Sequence, residues 1–301
     1  MAHFADRLAE AVHRCGNPLC VGLDPRWESL PAEIRSKFGP TLGGVAQAYE
    51  EFCLRVLDIV APIASVVKPQ SAFFESCGMA GMMTLTRVLS KARRLGLITI
   101  LDAKRGDIAS TATAYADAAF DGTKIGDNVL PVWNADALTV NPYLGRDAIE
   151  PFLLSARKSN RGLFVLVRTS NPGAGLFQDL VCDGKPLHQH VGAAVAWWTR
   201  ENVGVCGYGD VGAVVGATNA AELGRLRTLL PDVWFLVPGY GAQGGKAEDV
   251  AGAFNADGLG AIVNSSRGVT FPFQPDDEDW EDAIEKAAKS AAGELAAVMM
   301  R

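Results

Sequence analysis

The chain has 301 residues, 49% hydrophobic and 21% charged, enough apolar material for one large α/β domain or two average ones. Its net charge of −6, from 28 basic and 34 acidic residues, argues against a nucleic-acid partner. No apolar run is long enough to cross a bilayer, Met1 to Arg7 lacks the apolar stretch of a signal peptide, and the six scattered cysteines show no zinc-type spacing, so a cytoplasmic protein with reduced thiols is expected.

The spacing of Phe4, Leu8, Ala11 and Val12 predicts an amphipathic helix over 3–14 that caps the core. Leu19 to Leu23 reads as a first strand, ending at Asp24 and Pro25. Residues 25–40 hold three prolines and read as an irregular loop. A helix follows from Thr41 to Ala61, then a second strand, Ala64 to Lys68, ending at Pro69. Met79 to Leu95 is helical, and Gly96 suits its stop. The third strand, from Leu97, runs into Asp102-Ala103-Lys104-Arg105-Gly106-Asp107, before a helix from Ser110 to Phe120. Residues 121–135 read as an inserted loop. Strands are predicted at 136–142, 162–168, 211–215, 233–237 and 260–264, with helices to about Ser159 and over Leu187 to Asn202. Trp280, Ile284, Ala287, Ala291, Leu295 and Val298 space a last packing helix.

Eight short apolar strands alternating with helices imply a parallel sheet covered on both faces. That number of units in a chain of this length fits a (β/α)8 TIM barrel formed by a single domain, 1–301. An open doubly wound sheet is the alternative. Barrel active sites lie where strands end, and here those positions carry Asp24, Lys68, Asp102 with Lys104, Asn141, Ser170, Thr218 and Arg267. On a regular strand Asp102 and Lys104 would project to one face. Buried charges need partners, and alternating Lys68, Asp102, Lys104 and Asp107 would supply them while keeping a cation ready to give a proton. A structural ion-pair network would look the same at this level.

After the seventh strand, Gly239, Gly241, Gln243, Gly244 and Gly245 form a glycine-rich loop, and Ser265-Ser266-Arg267-Gly268 follows the eighth. Loops in these two positions commonly bind phosphate in barrels. Gly239-x-Gly241-x-x-Gly244 also matches a dinucleotide fingerprint, but only one strand remains after it, too few for a βαβαβ unit. His188-x-His190 lacks a third ligand for a metal, and Trp197-Trp198 reads as helix packing.

Asp102-Ala103-Lys104-Arg105-Gly106-Asp107-Ile108 with Ser110-Thr111 resembles the Asp-x-Lys-x-x-Asp signature of the orotidine 5′-phosphate decarboxylases. Leu23-Asp24-Pro25, Val67-Lys68-Pro69-Gln70, Thr169-Ser170-Asn171-Pro172-Gly173, Gly241 to Gly245 and Ser266-Arg267-Gly268 match that family's other motifs in order, in its longer bacterial form. The resemblance implies conversion of orotidine 5′-monophosphate to UMP and carbon dioxide, the last step of de novo UMP synthesis, without metal or organic cofactor. It implies that Asp24 and Lys68 hold the ribose hydroxyls, Asp102 faces the substrate carboxylate, and Lys104 protonates C6. Ser170 would bond the pyrimidine, and Gln243, Ser266 and Arg267 would bind at the phosphate end. Asp107 and Thr111 would reach into a neighbouring subunit's site, implying a homodimer with shared active sites.

Two rival readings stand beside this one. Magnesium-dependent sugar-phosphate decarboxylases and hexulose-phosphate synthases share Asp-x-Lys-x-x-Asp, but carry an acid where this chain has Lys68, whose charge would repel the metal. A catalytically silent nucleotide-binding barrel is the other.

Overall fold

A computed structural model describes residues 2–241 and 245–299. Eight parallel strands close into a barrel: β1 (Leu19–Leu23), β2 (Val66–Pro69), β3 (Ile98–Arg105), β4 (Ala137–Val140), β5 (Gly162–Arg168), β6 (Val211–Val215), β7 (Phe235–Pro238) and β8 (Ala261–Ser265). Each strand pairs with its sequence neighbours, and β8 closes the ring against β1. The predicted closed barrel is therefore present, and an open sheet is not.

The strands are mostly apolar because both faces are covered, with their charged residues gathered toward the C-terminal ends. Outside, they pack against α2 (Leu42–Val60), α3 (Gly78–Arg94), α4 (Ala109–Ala119), α5 (Arg146–Lys158), α6 (Leu187–Arg200) and α7 (Ala220–Leu229), joined by α8 (Trp280–Met299). Between β7 and β8 the helical position is filled by short turns at Ala247–Val250 and Ala251–Ala253. Inside, a second apolar cluster fills the barrel with Cys20, Val66, Ile100, Phe164, Val214, Trp234 and Ile262.

The first helix, α1 (Phe4–Cys15), closes the bottom of that interior. Its apolar stripe puts Phe4, Leu8 and Val12 into the barrel cluster, with Phe4 edge-on to Phe164 at 6.2 Å. Gly162 makes this possible, since a Cβ there would stand 2.2 Å from the Phe4 ring. The interior is thus plugged from the strands' N-terminal ends, while their C-terminal ends open onto a cavity of about 530 Å³.

Several sequence expectations need correction. Residues 25–40 are not irregular: they hold a turn at Trp27–Ser29 and a helix, Ala32–Lys37, that buries Ile34. Pro31 starts that helix, where its fixed φ is favourable, rather than breaking it. Residues 121–135 contain an antiparallel hairpin, Thr123–Ile125 with Asn128–Leu130, turned by Gly126 at φ 60°. All six strand residues are exposed, so no alternation marked them. In α8 it is Ala288, not Ala287, that is buried alongside Ile284 and Leu295. Trp198 packs as expected, whereas Trp197 is exposed beneath the Arg146 guanidinium.

Phe4→Ala is expected to cost about 3–5 kcal/mol through the cavity it leaves in the plug. A urea midpoint unchanged from the parent chain would show that α1 does not seal the barrel.

Candidate active site

The site begins with an irregularity in β3. Leu101 pairs with Leu138 of β4, yet the next pairing is Arg105 with Val140. Asp102, Ala103 and Lys104 therefore face the single residue Thr139, and the strand bulges. Lys104 adopts φ 47°, left-handed backbone that a non-glycine residue rarely takes. Thr139 holds it there: its hydroxyl accepts from the backbone N–H of Ala103 at 3.0 Å and of Lys104 at 2.9 Å. The same hydroxyl donates to Asp102 Oδ1 at 2.9 Å, so its one hydrogen and both lone pairs are used. Asp102 and Lys104 do meet, but through this bulge and not through plain strand alternation.

Asp102 is the hub. Lys68 of β2 donates to Oδ2 at 2.6 Å, and Lys104 donates to Oδ1 at 2.7 Å. The Asp102 and Lys68 side chains are only 8% and 6% exposed, while Lys104 is 46% exposed. Burial by itself would raise the Asp102 carboxyl, but the charges and hydrogen bonds of Lys68 and Lys104 outweigh it and hold the group well below the usual carboxylate range. For Lys68 burial works against the charge, and Asp102 with Asp24 overcomes it, so the ammonium is held above its ordinary value.

Across the mouth, Asp24 follows β1 and accepts from the Ser266 hydroxyl at 2.6 Å through Oδ2. Its Oδ1 is buried and takes no hydrogen bond from the described residues, an acceptor suited to a ligand hydroxyl. The approach of Ser266 depends on Gly22, where a Cβ would stand 2.7 Å from the Ser266 Cβ.

These groups line one cavity of about 530 Å³ at the C-terminal end of the barrel. Asp24, Lys68, Asp102, Lys104, Ser170, Ser266 and Arg267, all predicted from strand ends and motifs, lie on its wall. Thr139, Arg26, Gln70, Asn171, Gln178, Tyr240 and Asn264 join them and were not singled out. Gln70 and Asn171 stood within quoted motifs, whereas Arg26 lies in a loop and Gln178 ends a one-turn helix, Gly175–Gln178, too short for any periodicity to reveal. Asn141 and Thr218 do not line this cavity: Asn141 bonds back to the Tyr143 N–H, and Thr218 borders a separate small pocket. Gln243 lies outside the described residues. Asp107 and Thr111 also stand off the cavity wall; Asp107 accepts from the Ile108 N–H, and Thr111 is exposed on the first turn of α4.

Thr139→Val keeps the volume but removes the bond to Asp102 and both backbone acceptances. It is expected to lower kcat by about 10–100-fold with the barrel intact, as for loss of a group that holds a catalytic geometry. Unchanged kcat would remove Thr139 from that role. Asp102→Asn, which leaves Lys68 buried without its counter-charge, is expected to cost about 3–5 kcal/mol at neutral pH. Because the folded Asp102 titrates below the unfolded one, its stabilisation is present above pH ~4 and is lost as pH falls through the folded value. Urea midpoints taken from pH 7 downward should therefore converge for the two proteins, and a constant gap would contradict the assignment.

The family model described as "Orotidine 5'-phosphate decarboxylase / HUMPS family" matches residues 17–278. A protein of Rhodopirellula baltica named orotidine 5′-phosphate decarboxylase is 48% identical over 295 residues, covering 95% of this chain and 97% of the relative. One of that name from Deinococcus radiodurans is 43% identical, covering 89% of each chain. Among solved structures, a putative orotidine 5′-phosphate decarboxylase from Streptomyces avermitilis superposes with TM-score 0.78 at 36% identity, covering 100% of this chain and 97% of the other. The OMP decarboxylase of Leishmania donovani gives TM-score 0.76 at 34% identity, covering 99% of both. With the barrel, the charged array at its mouth and relatives this similar over nearly the whole length, the chain belongs to the orotidine 5′-phosphate decarboxylase family.

Proposed function

We propose that this chain, acting as one cytoplasmic barrel domain, decarboxylates orotidine 5′-monophosphate to UMP and carbon dioxide. The observation that carries the reading is the sharing of one buried carboxylate, Asp102, between Lys68 and Lys104 on the floor of the cavity. Loss of carbon dioxide from C6 leaves an electron pair in the plane of the pyrimidine ring, where the π system does not delocalise it. A fixed ammonium beside that carbon stabilises the developing charge and then quenches it.

In this reading the bond from C6 to the carboxylate breaks, carbon dioxide departs, and Lys104 Nζ gives its proton to C6. Solvent then restores the proton to the half-exposed amine. Asp102 sits against the substrate carboxylate, and phosphate binding at Arg267, Ser266 and Gln243 supplies the energy that holds the two negative groups together. Asp24 Oδ1 and Lys68 take the ribose hydroxyls, and Ser170 takes the pyrimidine. Lys68 also weighs against the magnesium-dependent relatives, because its ammonium stands 2.6 Å from the carboxylate that a metal would need.

Asp107 and Thr111 acquire a task if the enzyme is a homodimer. They lie outside their own cavity, with exposed Ile108, Ile125, Val129, Leu130, Tyr143 and Leu144 on the segments that follow β3 and β4. An apolar rim of that kind favours a second copy of the chain, to whose site Asp107 and Thr111 would be lent.

Purified protein should remove the absorbance of orotidine 5′-monophosphate, with activity unchanged in EDTA. Tight UMP binding without turnover would overturn the proposal, and loss of activity in EDTA would favour a metal-dependent relative. Lys104→Ala should abolish turnover with the fold retained; substantial residual activity would remove Lys104 as proton donor. Mixing Lys104→Ala with Asp107→Ala protein should restore activity, since random exchange in a symmetric dimer leaves about a quarter of the sites intact. If subunits exchange and no activity returns, Asp107 serves its own chain.

A further inference from the structure

His188 and His190, on the first turns of α6, are the one motif that the decarboxylase reading leaves without work. Both turn back onto the segment between β5 and α6. His190 Nε2 meets the Cys182 carbonyl at 2.7 Å, and His188 Nδ1 meets the Gln178 carbonyl at 2.8 Å. This segment matters to the site. Asn171 and Gln178 line the cavity, and the Gln178 amide accepts from the Thr169 N–H at 2.9 Å while donating to the Thr169 hydroxyl at 2.8 Å. Thr169 precedes Ser170, the proposed pyrimidine contact.

Packing does little to hold the segment in place. Of residues 171–186 only Ala174 is buried, and Leu176, Phe177, Leu180 and Val181 are exposed. Polar ties must therefore supply what a core would. The His188 ring is the most deeply placed of them, 4% exposed, with Nε2 2.7 Å from Glu222 Oε1 on the first turn of α7.

Both atoms facing the ring are acceptors, one a peptide carbonyl and the other a carboxylate. Making both bonds requires a hydrogen on each ring nitrogen, and hence the charged form of the ring. The surrounding charges support this. Asp179 Oδ1 lies 3.6 Å from Nδ1, and Asp179 Oδ2 pairs with Arg168 of β5 at 3.0 Å, while Glu222 also pairs with Arg225 of α7 at 3.3 Å. Burial would raise the Glu222 carboxyl, but bonds from His188 and Gln189 and the charges of His188 and Arg225 hold it below its ordinary value. The ring, not the carboxyl, then supplies the second hydrogen.

We propose that His188 is a positioning residue for substrate binding: in its doubly protonated form it ties the segment 171–186, through Gln178, to Glu222, and so sets Thr169 and Ser170 against the pyrimidine. The inference rests on the decarboxylase reading for its effect on catalysis, but not for its effect on the segment. When the ring loses its second proton, a lone pair faces either the carbonyl or the carboxylate, and one tie is replaced by repulsion. Substrate affinity should then weaken as pH rises, while kcat, set by Lys104 and Asp102, should follow less.

The decisive variant is Glu222→Gln. A carboxamide can donate to a neutral imidazole or accept from a charged one, so the clamp survives in either state. As pH rises, KM for orotidine 5′-monophosphate should rise about tenfold in the parent enzyme and stay nearly level in Glu222→Gln, because only the parent clamp needs a hydrogen on both ring nitrogens. His188→Ala should show the raised KM at every pH, with kcat within about threefold, the split expected when binding geometry and not chemistry is lost. Amide hydrogen exchange of residues 171–186 reads the clamp independently of turnover: it should quicken with pH beyond the intrinsic rate in the parent and not in Glu222→Gln. Identical pH profiles of KM and of exchange in the parent and Glu222→Gln would overturn the proposal even if His188→Ala fails to fold. Inactive parent protein with the predicted exchange pattern would instead sink the decarboxylase reading and leave the clamp standing.

Discussion

One buried carboxylate governs how this barrel is built. Asp102 is enclosed by protein, and a lone charge there would cost several kcal/mol. Its two oxygens are met by Lys68, Lys104 and the Thr139 hydroxyl, each within 2.9 Å. Three neighbouring strands are committed by that one group, because Lys68 comes from β2, Lys104 from β3 and Thr139 from β4. None can shift register without leaving a buried charge or donor unpaired, a far larger loss than any one packing contact. The left-handed backbone at Lys104 is a further cost, of order 1–3 kcal/mol, that persists because Thr139 accepts from the two N–H groups the bulge exposes.

The β3–β4 pair shows how the rest of the fold supports this. At the opposite end, Asp136 Oδ2 accepts from the Thr99 N–H and the Thr99 hydroxyl, while Oδ1 is bonded by Arg7 and Arg161. The two strands are thus pinned by side-chain hydrogen bonds at both ends, with regular pairing only at Ile100 and Leu101 between. Extra chain in β3 has one place to go, outward at residues 102–104. Arg7 belongs to α1, so the helix that plugs the bottom of the barrel also anchors the strand whose top carries the site. The N-terminal face is spent on stability and the C-terminal face on chemistry, as the barrel architecture favours.

Much of this was legible in the sequence, because it rests on signals that run along the chain. Apolar strands covered on both faces are continuous runs, and the charged residues at their C-terminal ends fall at the barrel mouth, which located Asp24, Lys68, Asp102 and Lys104. What escaped depends on contacts between distant segments. Thr139 reads as one more β-branched strand residue, and its hydroxyl gains meaning only against a bulge in the neighbouring strand β3, 35 residues back from Thr139 to Lys104. Asn141 and Thr218 occupy strand ends as good as any, yet turn from the cavity. The hairpin at 123–130 and the helix at 32–37 were hidden because the first exposes every residue and the second buries only Ile34. His188 offered a motif but no chemistry until Gln178 and Glu222 stood on either side of the ring.

The two lysines that share Asp102 carry the same charge and do not have the same work. Lys68 is almost wholly buried, and Asp102 with Asp24 holds its proton more tightly than on a free lysine. Such a group is fitted to fix geometry and bond a hydroxyl, and poorly fitted to give a proton away. Lys104 reaches the other oxygen of the same carboxylate with nearly half its side chain open to solvent. A donor must be recharged after every turnover, and only the exposed lysine has a path for that proton. In the proposed reaction, therefore, exposure and not charge assigns the roles: the carboxylate aims both ammonium groups at the cavity, and water reaches the one that must be refilled.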